Sequence, residues 1–146
     1  MVSVSQIINP LLDSLVSAGP AAEARIQSAQ IQLGLLFPPS YIAFLQRYGA
    51  AFCHGVEIAG LAPDPAREQP MWADVVSTTL MYRCHNALPE DSIYISTDGS
   101  DQCYFLRCSK TDPDFEGKVI EWGPSHGGGK VYADSFISFI QRQVDR

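Results

Sequence analysis

The segment 123–127, with the sequence GPSHG, fits the G-x-S-x-G turn that exposes the nucleophilic serine of many hydrolases. His126 also begins the sequence HGGG, which is typical of the loop that stabilises the oxyanion in such enzymes. In those enzymes the catalytic histidine follows both the serine and the acid, and the two patterns lie on separate loops. Here the patterns share residues and His126 is the last histidine, so the sequence favours a glycine loop between two strands. We therefore expect no catalytic residue in this segment.

Two Cys-His dipeptides, at 53–54 and 84–85, contain the sulfur and nitrogen ligands that a tetrahedral zinc site uses. Adjacent residues diverge in direction, so one dipeptide rarely supplies two ligands to the same ion. The remaining cysteines, Cys103 and Cys108, stand five positions apart in a strand-like run, which places their side chains on opposite faces. We expect buried small cysteines beside ordinary loop histidines, with no metal and no cofactor.

The densest group of carboxylates lies between residues 90 and 121, where eight acidic residues stand against three basic ones. Paired carboxylates can serve acid–base catalysis or bind a divalent cation, but this pattern favours a negative surface for a basic protein partner. The alternative, which the sequence leaves open, is a set of solvated turns without a partner. The candidate partner-binding residues are six of these carboxylates and a neighbouring tryptophan that could serve as an aromatic anchor: Asp98, Asp101, Asp112, Asp114, Glu116, Glu121 and Trp122.

The net charge of −6 excludes the basic face that nucleic-acid binding requires. Residues 1–10 carry no lysine or arginine, and no apolar run approaches the roughly 20 residues of a membrane-spanning helix. The sequence therefore predicts a cytoplasmic protein with reduced cysteines that binds neither nucleic acid nor a membrane. A chain of 146 residues fits one domain, which we place at residues 1–146.

The first third of the chain has the period of α-helices. Apolar residues stand three and four positions apart in the segments 5–16 and 21–33, and again after Pro38-Pro39. Residues 72–84 also predict a helix, although several β-branched residues weaken the pattern. Residues 62–70 contain three prolines and predict a loop.

The second half alternates with the period of β-strands and predicts strands at 56–58, 92–97, 103–108, 119–122 and 131–133. The turn sequence DGSD at 98–101 joins two of them into a hairpin. Asp134 or Ser135 caps a closing helix. Helices first, an antiparallel meander next and one helix at the end predict an α+β fold.

Short motifs of prolines, glycines and aromatic residues follow one another over residues 22–141: Leu33-Gly34, the segment 37–41 (FPPSY), Phe44-Leu45, Tyr48-Gly49, the segment 58–61 (IAGL), Trp72, Leu88-Pro89, Ile93, Ile95, Asp98-Gly99, Val119, Trp122, the segment 133–136 (ADSF) and Phe139. Their order and spacing resemble the SUKH superfamily, the yeast cell-wall-synthesis-regulator-like domain. The segment 1–20 lies outside the resemblance and adds an N-terminal helix.

The resemblance implies a curved antiparallel β-sheet flanked by helices, without catalytic activity. Many bacterial members of the superfamily look like immunity proteins that neutralise a polymorphic or contact-dependent toxin, often a nuclease, whereas eukaryotic relatives act as signalling or scaffold domains. For this chain the resemblance implies a bacterial immunity protein, a monomer or weak homodimer, with a cognate basic toxin as its partner. The alternatives are an interaction domain in signalling or scaffolding without a toxin, and a small enzyme or ligand carrier that uses a groove near Trp122.

Overall fold

Six β-strands form one antiparallel sheet in which each strand pairs with the next strand of the chain. The computed structural model describes residues 10, 16–53, 56–61, 74–86, 89–97, 102–123 and 129–144. The strands are β1 (Ala51–Cys53), β2 (Val56–Ile58), β3 (Ser92–Thr97), β4 (Cys103–Arg107), β5 (Val119–Trp122) and β6 (Lys130–Ala133). Since neighbours in the sheet are also neighbours in the sequence, these strands form a meander in which β1 and β6 are the first and last of the described strands.

The described helices are α1 (Glu23–Leu33), α2 (Pro39–Arg47), α3 (Val75–Asn86) and α4 (Phe136–Val144). Helix α2 begins at Pro39, whose fixed φ suits the first helical turn, and α1 is followed by Gly34, which has a φ of 71°. Asp74 and Ser135 cap the other two helices, because their side-chain oxygens accept the N–H three residues later at 2.7 Å and 3.1 Å. None of these helices has the length and hydropathy that crossing a bilayer requires.

The two faces of the sheet have different neighbours. Along β4, Tyr104 and Leu106 point into the main core, which contains residues of α1, α2 and α4. Phe105 points the other way into a second, smaller cluster, against which Tyr82 of α3 and Trp122 pack. The helices α1, α2 and α4 therefore lie on one side of the sheet.

Helix α3 covers the part of the β3 edge that β2 does not reach. The register of β2 and β3 pairs Ile58 with Ser96. Two residues before Ser96, the N–H of Tyr94 donates to Oγ1 of Thr79 in α3, at 3.0 Å. The side chain of Thr79 thus takes the place of the strand partner that a longer β2 would provide for this N–H. Strands of other proteins therefore cannot pair with this part of the β3 edge.

The predicted α+β fold is confirmed, and each predicted element that falls on described residues appears with shifts of a few residues at its ends. Cys103 and Cys108 do lie on opposite faces, in the second cluster and in the core. The strand β1 was not predicted, which is a correction. Its three residues show no alternation of apolar and polar side chains. The strand forms because both β2 and Ser17 pair with it. The predicted helix at 5–16 and the predicted loop at 62–70 fall almost wholly outside the described residues.

Three backbone segments cross at Gly49 and Gly60. Gly49 follows α2 with a φ of 72°, and its carbonyl oxygen accepts the N–H of Leu61 at 2.8 Å. A Cβ at Gly49 would stand 2.2 Å from the carbonyl oxygen of Gly19, and a Cβ at Gly60 would stand 1.6 Å from that of Gly49. Both positions therefore require glycine, because the main chains approach too closely for any side chain.

Gly34 is a natural control for Gly49, since both follow a helix with nearly the same positive φ. A Cβ at Gly34 meets nothing within 4 Å, so Gly34→Ala is expected to lower the free energy of unfolding by about 1 kcal/mol, the cost of the left-handed conformation alone. Gly49→Ala adds the overlap with backbone oxygens, and we expect a loss of about 3 kcal/mol or more. Urea titration followed by circular dichroism measures both values, and equal losses would contradict the close approach at Gly49.

Candidate protein-binding surface

Three of the predicted partner-binding carboxylates lie together at one end of the sheet. At this end, which we call the turn end, Ser92 at the start of β3 pairs with Arg107 at the end of β4. The connection from β4 to β5 leaves the sheet here, and it contains Asp112, Asp114 and Glu116. These residues are exposed to solvent.

The hairpin that contains Asp98 and Asp101 leaves from the opposite end. Thr97 pairs with Cys103 there, and the two aspartates stand between them in the sequence, outside the described residues. The five residues of β4 separate the two ends by roughly 16 Å. The structure therefore brings Asp112, Asp114 and Glu116 together, and Asp98 and Asp101 lie outside the described residues.

Glu121 and Trp122 are neighbours on β5 and point to opposite faces of the sheet. Glu121 pairs with Tyr104 on the core face, its side chain is only 14% exposed, and one of its oxygens lies 3.7 Å from Nζ of Lys130. Trp122 packs against the second cluster on the other face. A single partner surface can include the tryptophan or the glutamate, but not both.

The turn between β4 and β5 is held by its own side chains. Oγ of Ser109 accepts the N–H groups of Thr111 and Asp112 at 3.1 Å and 2.9 Å, and Oδ1 of Asp112 accepts the N–H of Asp114 at 3.0 Å. The carbonyl oxygen of Ser109 accepts the N–H of Leu36, which ties the turn to the segment between α1 and α2. We call residues 109–116 the acidic turn. Hydrogen bonds within the turn itself define its conformation.

Glu116 has a structural partner within the chain. Its Oε1 accepts the N–H of Ser40 at 2.8 Å, and Ser40 is the second residue of α2. Pro38, which precedes α2, offers no side-chain cap, so the carboxylate of Glu116 satisfies a helix N–H from 76 residues away. The sequence predicted Glu116 as a partner contact, whereas the structure gives one of its oxygens a capping role.

Asp112 and Asp114 differ from the other carboxylates of this end. Within the described residues, neither lies within ion-pair distance of a basic side chain. Phe115 follows them with 38% of its surface exposed. The acidic turn thus presents two unneutralised charges beside an aromatic ring.

The family model described as SUKH_5, SMI1-KNR4 cell-wall, matches residues 4–145 of the chain. The chain belongs to the SUKH_5 family. The match covers more of the chain than the resemblance in the sequence indicated, because it includes residues before 22. Domains of this family are generally non-catalytic, and at this coarse level the chain is a protein-interaction or immunity-type module.

Two ion pairs border the acidic turn of this SUKH domain. Nη2 of Arg107 lies 3.1 Å from Oδ2 of Asp91, and Nζ of Lys110 lies 3.0 Å from Oε2 of Glu90. The hydrogen bond from Lys110 lowers the pKa of Glu90, whose carboxylate is held in its charged form. Together with Phe115 the four side chains line a groove of about 430 Å³, which we call the turn groove.

In the sequence, Arg107 and Lys110 are two of the three basic residues between positions 90 and 121, and no local pattern indicates where they lie. The signal that could have placed Arg107 is the register of the hairpin: Ser92 opposite Arg107 brings the preceding Asp91 next to the guanidinium. The pairs reduce the negative charge that the segment 90–121 contributes at this end. What remains unneutralised in the turn is the charge of Asp112 and Asp114.

A second groove lies on the sheet face that carries Trp122. It has a volume of about 280 Å³ and is lined by Pro89, Ser92, Phe105, Arg107, Ile120, Trp122 and Gly129. A Cβ at Gly129 would stand 2.4 Å from Ile120, so the absence of a side chain there leaves room for the groove. We call it the sheet groove. Arg107 lines both grooves.

The other chemical patterns of the sequence give no site within the described residues. No group of three or more metal-ligating side chains occurs in that part of the chain. The segment 124–128, with its serine and histidine, and the Cys-His dipeptide at 53–54 lie at positions whose side chains the structure does not describe. Cys84 is a free cysteine exposed on α3, so the expectation that it would be buried is wrong.

Replacing Glu116 tests its capping role. We expect Glu116→Ala to lower the free energy of unfolding by about 1 kcal/mol, since the N–H of Ser40 loses its acceptor at the start of α2. Asp114→Ala, in the same turn, removes an exposed carboxylate and is expected to change stability by less than about 0.5 kcal/mol. Urea denaturation measures both, and an Asp114 variant that loses as much as the Glu116 variant would show that the cap is not what stabilises α2.

Proposed function

We propose that this SUKH domain is an immunity protein, which binds a basic nuclease-type toxin in the cytoplasm of a bacterium and blocks it. One observation carries the proposal: Asp112 and Asp114 hold exposed, unneutralised carboxylates next to the exposed ring of Phe115. Nucleases present basic surfaces to phosphate groups, so such a surface is complementary to the acidic turn. Family membership supports a protein-interaction role of this kind.

The geometry of the turn favours binding over a merely solvated loop. The hydrogen bonds of Ser109 and Asp112 already hold the backbone, so little conformational entropy remains to be lost when a partner docks. Phe115 offers the kind of aromatic side chain that dominates many interfaces. The two aspartates add long-range attraction, which increases the association rate with a basic protein at low salt.

The double variant Asp112→Asn/Asp114→Asn removes both charges and keeps the side-chain oxygen that holds the turn. We expect it to weaken binding of the cognate basic protein about tenfold at low salt, because each exposed charge pair contributes up to about 1 kcal/mol. A matched control, Glu23→Gln/Asp134→Asn, removes two exposed acidic charges elsewhere and is expected to bind like the parent protein. Titration calorimetry at several salt concentrations measures the difference, which should shrink as salt screens the charges.

The partner is obtained by co-purification with the tagged protein from its own cells at low salt and identified by mass spectrometry. The proposal requires a basic protein whose expression alone stops growth and whose effect is relieved when this chain is expressed with it. Equal binding by the aspartate variant and its control would remove the acidic turn from the interface. Recovery of a cellular assembly without a toxic component would instead support the signalling or scaffold alternative.

A further inference from the structure

We propose that the partner surface continues from the acidic turn into the sheet groove, and that the basic partner inserts an apolar side chain there, against Trp122. This inference rests on the proposed function and specifies the chemistry of the partner. It assigns the groove to the partner's apolar side chain and the acidic turn to its basic groups.

Arg107 connects the turn groove to the sheet groove. Its side chain lines the turn groove together with Phe115 and the sheet groove together with Trp122. The guanidinium is half exposed and paired with Asp91 at 3.1 Å, so it does not repel a basic partner as an isolated cation would. A partner that covers Phe115 therefore meets a neutralised ion pair and then the apolar wall of the sheet groove.

The size of a stable interface also requires more than the acidic turn. A specific interface covers about 800 Å² on each partner. An interface of that size contains about 20 to 30 residues on each side, whereas Asp112, Asp114 and Phe115 are only three. The adjoining surface beyond Arg107 is the sheet groove, and exposed Val131 lies next to it, because Val131 pairs with Ile120 on the same face.

The residues that line the sheet groove indicate which kind of partner side chain fits into it. Phe105, Ile120 and Trp122 give it apolar walls, and of its lining residues Arg107 alone carries a charge. An aromatic residue in a recess beside a charged rim is the arrangement in which one side chain contributes much of the affinity. A projecting apolar side chain flanked by lysines or arginines satisfies both parts of the surface.

The test uses the tagged chain of 146 residues and four variants as baits in the same native lysate, and then the purified captured protein in titration calorimetry. Trp122→Ala opens the groove, and Val131→Lys places a cation beside it at a position that is 52% exposed. Val16→Lys places the same charge on an exposed position beside β1, at the other end of the strand order from β6, and is the control. The aspartate double variant is the fourth bait, and circular dichroism verifies that each variant folds.

We expect Trp122→Ala to weaken binding about thirtyfold and Val131→Lys about tenfold, with Val16→Lys within twofold of the parent. The loss in Trp122→Ala should persist at high salt, whereas the loss in the aspartate variant should shrink, since apolar contact is not screened. If a basic toxin depends on the aspartates but binds the two groove variants normally, this inference is wrong and the proposed function stands. If no basic toxin is captured by the parent chain, the proposed function fails and this inference fails with it.

Discussion

The hydroxyl of Tyr41 joins the helical layer to the sheet. It donates to the carbonyl oxygen of Ala59, directly after β2, at 2.6 Å, and the ring is completely buried. Burial raises the pKa of Tyr41 well above its usual value, so the group remains a donor. The same ring packs edge-on against Phe37 and Phe136, with centroids 5.2 Å apart in both pairs. One side chain thus sets the positions of α2, α4 and the sheet, on which the grooves depend.

Carboxylates of one sequence segment have different roles because the fold brings different groups to them. Asp91 and Glu90 pair with basic side chains, Glu121 is mostly covered beside Lys130, and Glu116 receives a helix N–H. Charge that is neutralised in this way attracts a partner only weakly. The acidic turn is distinctive because its serine and aspartate oxygens bind backbone groups and leave two carboxylates available to solvent. Net charge alone cannot reveal this division.

Local periodicity predicted the elements that bury a regular face. The residues Tyr41, Phe44 and Leu45 repeat with the helical period and are all buried in α2, and the alternation in β3 and β4 indicated the hairpin. Strand β1 escaped prediction because its pairing with Ser17 and with β2 is not encoded in its own three residues. The sequence indicated carboxylates as the residue type of the candidate surface, but it did not indicate which of them lie together in the fold. A capping contact between Glu116 and Ser40 spans 76 residues, and no local pattern indicates it.

That same long contact has a consequence for synthesis of the chain on the ribosome. Helix α2 emerges early, but the carboxylate that caps it is translated 76 residues later, roughly 4 to 15 s at ordinary elongation rates. Contacts of such sequence separation form late, because the intervening loop must close first. The acidic turn can therefore dock onto α2 only after β3 and β4 have been made. A nascent or truncated chain that ends before Glu116 therefore lacks the carboxylate that caps α2.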